Sequence, residues 1–138
     1  MNNFEPIEAY IPQRKPIVMV SEISNVTDTE IWSKFFVSDS NIFCENGFLT
    51  ESGLIENIAQ TAAAMTGYNA KKNAEKVKKG FIGSINNLVI HKLPLTNQYI
   101  ETKVTVSMVV MDVTIITGYI KQNNELIAEC EMKIFLEK

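Results

Sequence analysis

Glu56 and Gln60 lie one helical turn apart in the apolar run 53–65, "GLIENIAQTAAAM". A carboxylate set among apolar residues is equipped for proton transfer, or for attack on an activated carbonyl. Its commonest partner in such work is imidazole, which suits proton traffic near neutral pH. The only histidine is His91, in "VIHKLP", well after the run that carries Glu56. It reads as a strand residue without a catalytic role. Cys44, just upstream of the run, can line a pocket, but a lone loop cysteine is usually inert. The plain structural reading of Glu56 is a glutamate hydrogen-bonded to backbone or to Gln60 four residues on. Gln60 itself reads first as a packing and hydrogen-bonding residue.

These residues need a helix beneath them. Leu54, Ile58, Thr61 and Met65 share one helical stripe, with Ile55, Ala59 and Ala62 beside it. Thr50 or Ser52 is expected to cap the start, and Glu51 suits the positive end of the helix dipole. Ala62, Ala63 and Ala64 are small enough to let another surface approach closely. "KKNAEKVKKG" reads as the polar tail, with Gly80 as the stop.

Strands flank this helix. A short helical turn in "PIEAYIPQRKP" ends at Pro12. Segments 17–26 and 29–37 read as a hairpin across Thr27-Asp28, and 38–47 as loop. After the helix come "GFIGSINNLVIHKL", "QYIETKVTVSMVV", "DVTIITGYIKQ" and "ELIAECEMKIFLEK", the last two joined by a tight turn at "QNNE". Ile100, Thr102, Val104, Val106 and Met108 share one parity, the period of a half-buried strand. Strands before and after one apolar helix imply an α+β fold, an antiparallel sheet curled around that helix. A cystatin-like cone is the alternative, although it normally places its helix first.

Composition sets the outer bounds. The 138 residues fit one domain, 1–138, and 46% hydrophobic content supplies a core. A net charge of −3 gives no general attraction to nucleic acid. No run of about 18 apolar residues calls for a membrane span. The opening "MNNFEPIEAY" lacks a signal-peptide pattern. A cytoplasmic protein with Cys44 and Cys130 as reduced thiols is expected. Two cysteines and one histidine make no plausible zinc set, and no metal or cofactor is expected.

Three motifs then go further than pattern. "AYIPQRKPIVMVSEI" resembles the opening L-P-H-R-x-P-x-L-L-V-D of the 3-hydroxyacyl-ACP dehydratases. "GLIENIAQTAAA" resembles their helix motif V-L-x-x-E-A-x-A-Q, and "FIGSINNLVIHKLPL" their strand F-x-G-I-D-x-x-x-F-x-R-P-V. The likeness runs in order through residues 7 to 136. It is nearest to the divergent dehydratase-like subunits of aryl-polyene and flexirubin-type pigment pathways, which share an I-E-x-x-A-Q helix. The resemblance implies a hot-dog fold, an acyl-ACP or acyl-CoA thioester as ligand, and work in fatty-acid or polyketide-type biosynthesis.

Departures from the family are as informative. Its catalytic histidine lies fourteen residues before the helix glutamate, in G-H-F-P, and that position here is Ile42. The P-G pair ahead of its helix becomes Thr50-Glu51, and its V-x-P-G-D turn becomes Leu95-Thr96-Asn97-Gln98. The histidine of its opening motif is Gln13. By resemblance, Glu56 is the candidate acid or base, and Gln60, Gly53, Ile42 and Phe43 are candidate substrate contacts. In this fold the stretch 108–111 can lie near the acyl tunnel, although core is the plainer reading.

Dehydration needs a base for the α-proton and an acid for the departing hydroxyl. Losing one partner of such a pair costs about 10²–10⁴-fold in rate. The family builds its sites at a dimer interface, with histidine and carboxylate from different subunits. A homodimer of this chain would hold no such histidine. A heterodimer with a histidine-bearing dehydratase could hold one complete site. Two other readings remain: a hot-dog acyl-CoA thioesterase using Glu56, and a non-catalytic acyl-ACP-binding subunit. Lys71, Lys72, Lys76, Lys78 and Lys79 form a basic cluster in an acidic chain. It reads either as a solvated helix tail or as a dock for acidic acyl carrier protein.

Overall fold

The structure is a computed structural model describing residues 3–137. Its centre is α1 (Glu51–Lys72), whose face carrying Leu54, Ile58, Thr61 and Met65 is buried as the periodicity predicts. Removing Leu54, Ile58 and Met65 from water stabilises the helix on its sheet by about 1.5–3 kcal/mol each. Thr50 stands at the N-cap position, but its Oγ1 donates to Phe43 O at 2.7 Å and caps no helical N–H. Ser52 lies inside the helix.

The helix ends eight residues before Gly80. Asn73 is the C-cap, and Ala74 follows with φ 55°. Ala74 N–H donates to Lys71 O, and Glu75 N–H to Ala70 O at 2.7 Å. Those two bonds form a Schellman motif with alanine where glycine is usual. The sequence signal was absent because the left-handed residue has a Cβ. Gly80 is instead the first residue of a strand.

Six strands form one antiparallel sheet. Before the helix come β1 (Glu22–Val26) and β2 (Glu30–Val37). After it come β5 (Gly80–Ile90), β6 (Gln98–Val110), β7 (Val113–Gln122) and β8 (Glu125–Leu136). Their spatial order is β1-β2-β6-β7-β8-β5. Between β2 and the helix, β3 (Cys44–Glu45), inside the stretch read as loop, and β4 (Phe48–Leu49), just after it, pair as a small second sheet. The six-stranded sheet packs against one long helix, the α+β arrangement expected, and two of its six strands precede that helix, unlike the cystatin-like order. Asn123 and Asn124, both at positive φ, make the tight β7–β8 turn.

Two strand expectations need correction. Residues 17–19 do not join the sheet as β1, because Gln60 takes the Met19 N–H and the Ile17 carbonyl. On β6, Ile100, Thr102 and Val104 face the core, but Met108 is exposed. A bulge between Val106 and Met108 breaks the parity there.

Close approach depends on two glycines. A Cβ on Gly67 would overlap the carbonyl oxygen of Tyr10, so this glycine lets the N-terminal segment lie against α1. A Cβ on Gly118 would meet the Ile58 side chain, so this one lets the helix settle on β7.

Candidate functional site

Glu56 projects from α1 beside a cavity of about 360 Å³. The cavity exists because Ala59, Ala62 and Ala63 end at Cβ on the same side of the helix. Opposite them lie Val106 of β6, Ile116 of β7 and Ile134 of β8. Phe81 and Ile82, at the start of β5, also line it. Polar groups join the lining too: Gln13, Asp28, Glu56, Lys78, and the side chains of Thr66, Asn69 and Thr114. An apolar chamber with a few convergent polar groups is the form of a small-molecule site.

The carboxylate is held from one side. Gln60 Nε2 donates to Glu56 Oε1 at 3.0 Å. The same amide nitrogen donates to Ile17 O at 2.9 Å, and Gln60 Oε1 accepts the Met19 N–H at 2.6 Å. Gln60 thus spans the helix and segment 17–19 and fixes the Glu56 rotamer. Glu56 makes no other hydrogen bond among the described residues. Its second oxygen stays available.

Beneath this pair lies a buried polar network that the sequence reading missed. Asn57 Nδ2 donates to Met19 O at 2.7 Å, and its Oδ1 accepts from Thr102 Oγ1 at 2.6 Å. Thr61 Oγ1 donates to Asn57 O at 2.8 Å. That bond uses the only Thr61 hydroxyl hydrogen, so Ser33 Oγ donates to Thr61 Oγ1 across their 2.8 Å contact. Ser33 and Thr102 are direct cross-strand partners on β2 and β6. The network sets the helix in one register on the sheet. Its signal was present in the sequence: Asn57 lies on the apolar stripe between Leu54 and Thr61.

The other candidates are elsewhere. Gly53 packs against Leu49 and Phe43, at the junction of helix and small hairpin. Ile42 is exposed. Neither these residues nor Phe43 or Gln60 line the cavity. His91 is exposed, lies one residue beyond β5, and is also outside the lining. Burial and the nearby Asp39 charge raise the Cys44 pKa, which disfavours a thiolate. Burial pushes the Cys130 thiol up to about 11.

The lysines divide. Lys71 and Lys72 close α1, and Lys71 Nζ is 3.2 Å from Glu5 Oε2. Lys76, Lys78 and Lys79 lie in the connection to β5, not on a helix tail. Lys78 lines the cavity and a smaller depression next to it, which Lys76 shares. Lys79 Nζ sits 5.3 Å from the centre of the Phe81 ring.

A family model described as ApeP dehydratase (ApeP-like) matches residues 5–138. The chain belongs to the ApeP-like dehydratase family. Its fold is the hot-dog fold. Among solved structures, it is similar to a chain of the dehydratase heterocomplex ApeI:P from Xenorhabdus doucetiae, with a TM-score of 0.86 at 16% identity. That alignment covers 99% of this chain and 93% of the other. The fold also resembles a hypothetical thioesterase with coenzyme A from Streptococcus pneumoniae, with a TM-score of 0.67, 11% identity and 84% of each chain covered. It likewise resembles the E. coli PaaI protein, with a TM-score of 0.66, 7% identity and coverage of 83% and 81%. No curated protein matches the chain in sequence.

Proposed function

We propose that this ApeP-like protein is the carboxylate-bearing subunit of a composite 3-hydroxyacyl-ACP dehydratase, completed by a histidine-bearing partner. One observation carries the reading: Glu56 stands at the cavity, while the only histidine lies outside it. Within a dehydratase family, that leaves half of an acid–base pair. The similar Xenorhabdus structure is itself a heterocomplex by description, which supports a partner for this chain.

In this reading, the acyl chain occupies the cavity and the unpaired Glu56 oxygen exchanges a proton with it. The partner's imidazole handles the other proton. Gln60 keeps the carboxylate in place. β5 supplies a surface for association: it is an edge strand of 11 residues that exposes Phe81, Ile82, Ile85 and Val89. Long apolar edges are normally paired or covered. Lys76 and Lys78, next to the cavity, are the members of the basic cluster best placed to meet an acidic carrier protein.

Groups that act as one unit give non-additive losses. In the mixed enzyme, Glu56→Gln, removal of the partner's histidine and the double change should each abolish the same activity. A Glu56→Gln mixture that keeps full activity would reject the composite site. Release of free thiol from acyl-CoA by this chain alone would favour the thioesterase reading. Binding without turnover in any mixture would favour the non-catalytic subunit.

A further inference from the structure

Gln13 Oε1 is buried and has no hydrogen-bond partner, the one such side-chain atom among the described residues. Gln13 also lines the cavity that Glu56 enters. A buried acceptor left empty costs about as much as a lost hydrogen bond, so native proteins rarely keep one without a use. Looseness of the segment does not account for it. Tyr10 and Ile11, just before it, are buried, and Tyr10 is seated against Gly67 of α1. The Arg14 guanidinium donates to Ile11 O at 2.7 Å and to Gln13 O at 2.8 Å, which fixes the backbone on both sides of the side chain.

We infer that Gln13 is a substrate-contact residue whose side-chain carbonyl accepts a hydrogen bond from an O–H or N–H donor of the bound thioester. The donor has two possible sources: the 3-hydroxyl of the acyl chain, or an amide N–H of the pantetheine arm. The rest of the lining explains why an acceptor matters. The alanines and branched aliphatics of the lining hold an acyl chain equally well with or without a hydroxyl, so discrimination falls to the polar groups among them, of which Gln13 Oε1 is buried and without a partner. An acceptor that is already desolvated favours a ligand that brings a donor. Where that donor is the 3-hydroxyl, Gln13 gives this site a preference for hydroxylated over saturated chains. The inference rests on the cavity being the acyl site.

The test compares binding of 3-hydroxyacyl-pantetheine and the saturated acyl-pantetheine of equal length. It uses the full chain, alone and with its histidine-bearing partner, and the wild type is set against Gln13→Met. Methionine keeps the length and removes the carbonyl. Gln13→Glu, which keeps an acceptor, is the second variant should Gln13→Met fail to fold. With the 3-hydroxyl as donor, the wild type is expected to bind the hydroxylated ligand about 10- to 100-fold more tightly, and Gln13→Met to erase that preference. Gln13→Glu is expected to retain it. An equal loss for both ligands supports the contact and assigns the donor to the pantetheine amide. Unchanged binding of both by Gln13→Met, or loss of the preference in Gln13→Glu when that variant alone folds, overturns the inference but leaves the cavity as the acyl site. Failure of the wild type to bind either ligand, alone or with the partner, overturns both.

Discussion

Gln60 Nε2 lies 3.0 Å from Glu56 Oε1, and both of its amide ends also hold backbone groups of segment 17–19. The residue that orients the candidate acid or base is therefore also the clip that fastens the N-terminal segment to α1. Stability and site geometry are coupled through one side chain.

That coupling makes Gln60→Leu costly. It leaves the Met19 N–H and the Ile17 carbonyl without their partner and releases Glu56. A loss of roughly 1–3 kcal/mol is expected in urea unfolding, chiefly from the stranded, buried Met19 N–H, with a smaller part from the half-buried Ile17 carbonyl. A loss below about 0.5 kcal/mol would mean that the segment is held by other contacts.

Ala63→Phe tests the cavity itself. The alanine lines it and is only partly buried, so a ring there fills empty space more than it displaces packed neighbours. Thermal stability should change by less than about 1 kcal/mol, while acyl-thioester binding falls at least tenfold. Tight binding in a folded Ala63→Phe protein would move the acyl site elsewhere.

Ala74 occupies the left-handed position that ends α1, with φ 55°. Glycine adopts that conformation without the Cβ penalty. Ala74→Gly should raise unfolding free energy by about 0.5–1 kcal/mol. A decrease would show that Ala74 makes a contact worth more than the backbone relief.

The thiols make a pH prediction. Cys130 is raised from 9.0 to about 11 by burial. Its folded pKa lies above the unfolded one, so the native state keeps a proton that the unfolded chain has lost. The associated stability is fully present below pH 9 and is lost as pH rises through 11. Unfolding free energy measured from pH 9 to 11 should fall, and Cys130→Ala should flatten that slope. At pH 8 the buried Cys130 stays a thiol, so a disulfide reagent should label it slowly until the protein is unfolded. Rapid labelling of Cys130 in the folded state would contradict this.

Much of the fold was legible because its signals are periodic. The stripe of Leu54, Ile58, Thr61 and Met65 gave the central helix, and the strand runs on both sides gave the sheet around it. What escaped was decided by single contacts. Gln60 draws residues 17–19 out of the sheet, Ala74 ends the helix without the usual glycine, and a bulge after Val106 turns Met108 outward. The carboxylate of the candidate site was legible from the motif around Glu56. Its chamber was not, because that requires three alanines of one helix to face strands distant in sequence. Asn57 was visible as a polar residue on the apolar stripe, but its partners Thr102 and Met19 are brought together only by the fold. Gln13 was noted as a departure from the dehydratase opening motif, and only the folded chain shows it at the cavity with its acceptor unfilled.

The most direct test of the composite-enzyme account follows enoyl absorbance as the purified protein meets a 3-hydroxyacyl-ACP, alone and mixed with a histidine-bearing dehydratase of the same pathway type. The account predicts little turnover by the chain alone. It predicts a rise in the mixture, above the partner's own rate, that Glu56→Gln removes. Full turnover by the chain alone would contradict it, because a base within this chain would then be completing the site.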